Sequence, residues 1–147
     1  MIQNLLVGLA LFALMLISCN NVASIPAEEV KLVVDSNSLC EVIILDVRTR
    51  EEYVSGHIYG SVSIPLEELE KRTGEIDRDR MIIVYCKSGC GRSLKACQIL
   101  KDKRFERVKN MPGGMDEWIR SGGRIEGSYT QKKGCLPAWE VGHGCED

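Results

Sequence analysis

Aromatic side chains are scarce, at 5% of 147 residues, so the chain offers no platform on which nucleic-acid bases would stack. It also lacks a basic stripe. Its 19 Lys and Arg are scattered among 21 Asp and Glu, for a formal charge of −2, which argues against a nucleic-acid surface. No internal repeat or low-complexity stretch is visible, and the length fits one domain with a tail. The apolar run at residues 5–17 has thirteen residues. That is too short for an ordinary membrane span of ~20 residues but suits the core of a signal peptide.

This run ends in Leu16-Ile17-Ser18-Cys19, which resembles the bacterial lipobox. The resemblance implies cleavage before Cys19 and attachment of lipid to its thiol and amine. Two or more acyl chains anchor stably, at about 0.8 kcal/mol per buried CH₂. No Lys or Arg precedes the apolar core, so the α-amine alone supplies the positive end. An uncleaved anchor helix and a plain signal cut nearby are the alternatives. All three place the domain outside the cytoplasm, and the lipobox reading tethers it to a membrane of the bacterial envelope, facing the periplasm or exterior. The expected organisation is a signal peptide at 1–18, a tether at 20–26, a folded domain at 27–127 and a cysteine-containing tail at 128–147.

Within the domain, apolar runs alternate with helical patterns. Pro26 begins a helix with Val30, Val33 and Val34 on one face. Residues 42–45 form a continuous apolar run, as in a strand covered on both sides. Thr49-Arg50-Glu51-Glu52 is a capping box opening a short helix, and Gly56 closes it. Short strands are expected at 61–64 and at Val108, a buried central strand at 81–85, and helices at 66–72 and 92–101. Leu94, Cys97, Ile99 and Leu100 supply the apolar side of the latter helix. Gly113-Gly114 turns into a last helix carrying Trp118. Alternation of this kind means an α/β domain with a mostly parallel central sheet and helices on both faces. In such sheets ligands bind beyond the carboxyl ends of the strands.

Cys86 sits at one of those ends. Lys87-Ser88-Gly89-Cys90-Gly91 follow it, and then Arg92-Ser93 at a helix start. Backbone N–H groups of such a loop can turn inward into an anion-binding nest, and the helix adds its positive end. Both favour a thiolate, drawing its pKa below the free value of ~8.5. Arg92 adds a planar cation suited to oxyanions. Cys86 is therefore the candidate nucleophile and Arg92 the candidate anion-binding residue. Lys87, Ser88, Gly89, Cys90, Gly91 and Ser93 are candidates for binding the substrate. Lys87 either adds charge at the mouth or is merely solvated. Ser93 either hydrogen-bonds the sulfur or caps the helix. The loop contains no histidine, so dipoles and cations are the simpler means of activation.

The remaining cysteines carry less. Cys97 falls in an apolar stripe and reads as a core residue. Cys40 is uninformative. Cys135 and Cys145 flank a short segment and suggest a local disulfide. With His143 they show no familiar metal-ligand spacing, so neither a metal nor a cofactor is expected.

Four motifs resemble the rhodanese-like family, in order. They are Leu45-Asp46-Val47-Arg48 with Glu51-Glu52-Tyr53 and Gly56-His57-Ile58; Gly60-Ser61-Val62-Ser63-Ile64-Pro65; Tyr85-Cys86 through Arg92-Ser93; and Asn110-Met111-Pro112-Gly113-Gly114-Met115 with Trp118. The resemblance implies a sulfurtransferase or persulfide carrier. Cys86 would take sulfane sulfur from a donor such as thiosulfate, with sulfite leaving, and pass it to a thiophilic acceptor such as cyanide or a protein thiol. Asp46 and Arg48 would belong to the scaffold beneath the loop, and His57 would brace a turn. One feature departs from the family pattern. Five residues separate Cys86 from Arg92, where sulfurtransferases of the family usually have four. Cys-x5-Arg is the spacing of related phosphatases and arsenate reductases, so an oxyanion enzyme is a second reading. Cys90 is a candidate resolving thiol, which makes a thiol–disulfide module using Cys86 and Cys90 a third.

Overall fold

The computed structural model describes residues 22–36, 38–88 and 91–127. Along the chain run β1 (Ala23–Ser24), α1 (Ala27–Asp35), a 3₁₀ turn (Ser38–Cys40), β2 (Val42–Asp46), α2 (Arg50–Ser55), β3 (His57–Ile58), β4 (Val62–Ser63), α3 (Leu66–Arg72), a second 3₁₀ turn (Thr73–Glu75), β5 (Met81–Tyr85), α4 (Arg92–Asp102), β6 (Val108–Met111), α5 (Gly114–Arg120) and β7 (Ile125–Glu126). Five strands form one parallel sheet in the order β1-β6-β5-β2-β4, and β3 pairs antiparallel with β7 in a separate ribbon. The α/β class expected from the sequence is the one that forms.

The two central strands are apolar on both sides because both sides are covered. From β2 and β5, Ile43, Leu45, Ile82, Val84 and, just past the strand end, Cys86 pack with Leu69 of α3 and with Ala96, Cys97 and Leu100 of α4. The alternate residues Val42, Ile44, Ile83 and Tyr85 pack with Val30 and Val34 of α1 and with Met115 and Trp118 of α5. The period of two that separates these sets is the pleat of the strand. Each fully buried aliphatic side chain contributes about 1.5–3 kcal/mol.

Several local expectations hold in detail. Thr49 accepts from Glu52 N while the Glu52 carboxylate accepts from Thr49 N, the reciprocal pair of a capping box, and Gly56 ends α2. Trp118 is fully buried and donates from its indole N–H to Arg124 O at 3.0 Å. Other expectations are corrected. Leu94 is 52% exposed, because the buried stripe of α4 runs through Ser93, Ala96, Cys97 and Leu100 and Leu94 falls outside it. Ala23–Ser24, read from the sequence as tether, is a strand on the sheet: Ala23 pairs with Lys109 and Ser24 with Asn110. The expected strand at 61–64 contracts to Val62–Ser63, flanked by buried Ser61 and Ile64. Among the described residues no helix is long and apolar enough to cross a membrane.

Candidate active site

Because β2, β4, β5 and β6 all run the same way, their carboxyl ends share one rim, and Cys86 follows directly on β5 at that rim. Pleat alternation turns its side chain to the α3/α4 side, where it is 1% exposed. There the thiol donates to Ser93 Oγ at 3.5 Å, and Ser93 is itself buried. The side chain of Ser93 makes no cap bond. The N-cap of α4 is Gly91, at φ +69°, a left-handed conformation that glycine adopts without strain. Ser93 is thus in contact with the sulfur, as acceptor from its S–H.

The start of the loop is held from below by the turn into α5. Met115 N donates to Cys86 O at 2.8 Å and Asp116 N to Lys87 O at 3.1 Å. Gly114, at φ +55°, allows this approach, since a Cβ there would meet Lys87 O at 2.3 Å. Ser88 Oγ donates to Asp116 Oδ2 at 2.6 Å, which brings a carboxylate to the loop from α5. Lys87 is exposed.

Arg92 is engaged by Glu52 of α2 through a two-pronged ion pair, Nη1 to Oε2 at 2.7 Å and Nη2 to Oε1 at 3.0 Å. The Arg92 hydrogen bonds hold the Glu52 carboxyl down at about 2. Sequence reasoning placed Glu52 in the capping box and in the Glu51-Glu52-Tyr53 motif, with no link to the loop. It serves both the cap and the ion pair, because its Oε2 accepts from Thr49 N and from Arg92. No periodicity links residues 40 positions apart, so nothing local in the sequence signals this pair.

On the other face of the sheet a buried polar frame supports the rim. The Asp46 carboxylate, with no exposure, accepts from Arg48 Nε at 3.0 and 3.1 Å, from Nη2 at 2.6 Å and from Arg48 N at 2.9 Å. Arg48 Nη2 also donates to Gly56 O at 2.7 Å, and its guanidinium lies 5.6 Å from the centre of the Tyr85 ring. Burial pushes the Tyr85 hydroxyl well above the ordinary phenol range, with the Asp46 charge adding to it. That hydroxyl accepts from Ile58 N at 3.2 Å. Asp46 and Arg48 thus hold each other, and Arg48 also holds the Gly56 carbonyl and lines a cleft beside the loop. His57 stacks on Tyr53 at 3.7 Å, and its Nδ1 lies 2.9 Å from Tyr53 O, a bracing position.

Between α2 and α5 a cleft of about 270 Å³ opens beside the loop, lined by Arg48, Glu52, Ser55, Lys87, Asp116 and Ile119 among others. Gly89, Cys90, Cys19, Cys135, Cys145 and His143 lie outside the described residues. Among those described, no cluster of three or more His, Cys, Asp or Glu is arranged to hold a metal.

The model of the Rhodanese-like domain matches residues 27–121. The chain belongs to the rhodanese-like family. A sulfurtransferase of Allochromatium vinosum is 35% identical over 96 residues, covering 60% of this chain and 89% of that protein. Thiosulfate sulfurtransferase 16 (chloroplastic) of Arabidopsis thaliana is 37% identical over 93 residues, 53% of this chain and 74% of the other. The rhodanese-like domain of the Alr3790 protein from Anabaena, solved in solution, superposes with a TM-score of 0.68 at 26% identity, covering 80% of this chain and 88% of that one. This rhodanese-like chain therefore has relatives named for sulfur transfer, with its candidate cysteine at the rim of the shared sheet.

Proposed function

We propose that this protein is a sulfurtransferase or persulfide carrier working through Cys86. The observation that carries the reading is the setting of that thiol: at the carboxyl end of the central strand, beside Ser93 Oγ, before a loop whose start is pinned by α5. In the first step the Cys86 thiolate attacks the outer sulfur of a donor such as thiosulfate. The S–S bond of the donor breaks, sulfite leaves with the electron pair, and a Cys86 persulfide remains. In the second step a thiophilic acceptor attacks the terminal sulfur and Cys86 thiolate is regenerated. Oxidation state balances without a cofactor, since a neutral sulfur atom is all that moves. The Ser93 hydroxyl, 3.5 Å from the thiol, is positioned to hydrogen-bond the sulfur as its charge changes. We place the domain at the bacterial envelope through lipid on Cys19, and loss of radiolabelled palmitate from a Cys19→Ala chain would support that placement.

The test is the intact mass of the purified chain before thiosulfate, after it, and after cyanide. A gain of one sulfur atom, absent from Cys86→Ser and removed as thiocyanate forms, is the expected result. No gain overturns the reading. A loss of two hydrogens mapped to Cys86 and Cys90 would replace it with the thiol–disulfide module. The oxyanion reading draws on one observation, the Asp116 carboxylate bonded to Ser88 at the loop, which under that reading would be the candidate general acid.

A further inference from the structure

A site built to hold a multiply charged anion keeps an arginine fork available for it. Here the described charges at the rim balance. Arg48 is matched by Asp46, Arg92 by Glu52, and the exposed Lys87 stands near Asp116, which is itself bonded to Ser88. Glu52 is the pivotal member, because it takes both prongs of the Arg92 fork while lining the cleft beside the loop. Its carboxylate is charged throughout the physiological range, so the competition is always present.

We propose that Glu52 determines the charge specificity of this site: by occupying the Arg92 fork it disfavours multiply charged oxyanions and leaves the advantage to sulfur donors carrying one charge or none. The inference rests on Cys86 and its loop being the reaction site, and it names the class of donor that site prefers. Any dianion, thiosulfate included, must share Arg92 with a carboxylate already there. A donor with little charge has no need of the Arg92 fork and meets no such competitor. Glu52 acts here through Arg92, as a positioning residue rather than a catalytic one.

The capping box makes the proposal testable without losing the helix, since glutamine serves at this position as well as glutamate. Inorganic phosphate is the probe, with its dissociation constant measured by calorimetry on the full chain. For Glu52→Gln the expected result is about tenfold tighter phosphate binding at low salt, because the charge-assisted bonds of the Arg92 fork are released from Glu52 to the anion. The gain should shrink as salt is added. It should also disappear in the Glu52→Gln, Arg92→Gln double variant, because it operates through the arginine. With thiosulfate, KM should fall by a similar factor while kcat changes little. Thr49→Ala, which breaks the cap and leaves every charge in place, should not alter phosphate affinity. Equal or weaker phosphate binding by Glu52→Gln overturns the proposal. So does a gain that survives without Arg92, or one that Thr49→Ala reproduces. Phosphate binding needs no turnover, so a chain that forms no persulfide still decides the role of Glu52. A chain that forms persulfide with Glu52 indifferent keeps the sulfur-transfer reading and loses this one.

Discussion

Gly114 stands against the peptide that follows the candidate nucleophile: a Cβ built on it would fall 2.4 Å from the carbonyl oxygen of Cys86. Gly114→Ala adds that clash to a left-handed φ of +55°. The two together should cost about 2 kcal/mol or more. Urea unfolding should show the loss, and sulfur transfer should fall further than stability alone explains, because the clash displaces the start of the loop.

Ser93 gives a cleaner test of chemistry. Its hydroxyl lies 3.5 Å from Cys86 Sγ and makes no cap bond, so Ser93→Ala should leave α4 intact. Losing one hydrogen bond to a charged sulfur, worth about 1.5–3 kcal/mol, predicts a rate of persulfide formation lower by about tenfold or more.

Asp46 and Arg48 form a buried ion pair with little water to replace either partner. Asp46→Asn removes one charge and leaves the other buried, for an expected loss of about 3–5 kcal/mol. Chemical denaturation measures it. Replacing both residues by apolar ones of similar volume should lose less than the single change.

Acid should act on the Glu52–Arg92 pair. The Glu52 pKa in the folded chain is about 2, below its ordinary value near 4.5. The folded state therefore binds fewer protons than the unfolded one between these values. The stabilisation is fully present above the unfolded value and is lost as pH falls through the folded one. Melting temperature should decline between about pH 4.5 and 2 more steeply in the wild-type chain than in Glu52→Gln, where the group cannot titrate. Equal slopes would mean that the pair contributes nothing to folding.

What the sequence revealed and what it hid divide along a physical line. The strands at Val42–Asp46 and Met81–Tyr85 were legible because burial on both faces writes an unbroken apolar run. The cap at Thr49 was legible because its partners are three residues apart. Cys86 was legible because a strand, a cysteine, glycines and a helix start adjoin in the chain. The β3–β7 ribbon joins His57 to Glu126 and Ile58 to Ile125, two residues a side, too short to leave a pattern. Leu94 misled because its hydrophobicity was weighed without its angle about the α4 axis. Asp116 and Glu52 reach the loop only through the fold, one from α5 and one from α2. Charged residues at helix starts have a sufficient local explanation, which conceals any second role.

The pairing of Ala23–Ser24 with Lys109 and Asn110 bears on where this protein can be cut. Family similarity begins at residue 27, after that strand. A shortened chain starting there would fold its helices over an incomplete sheet, with the N–H and C=O groups of β6 facing solvent at the new boundary. Such a row is a template for strand addition by another molecule. The two residues read from the sequence as tether thus cover part of the β6 edge, and a chain cut at residue 27 should show more dimer or aggregate by light scattering.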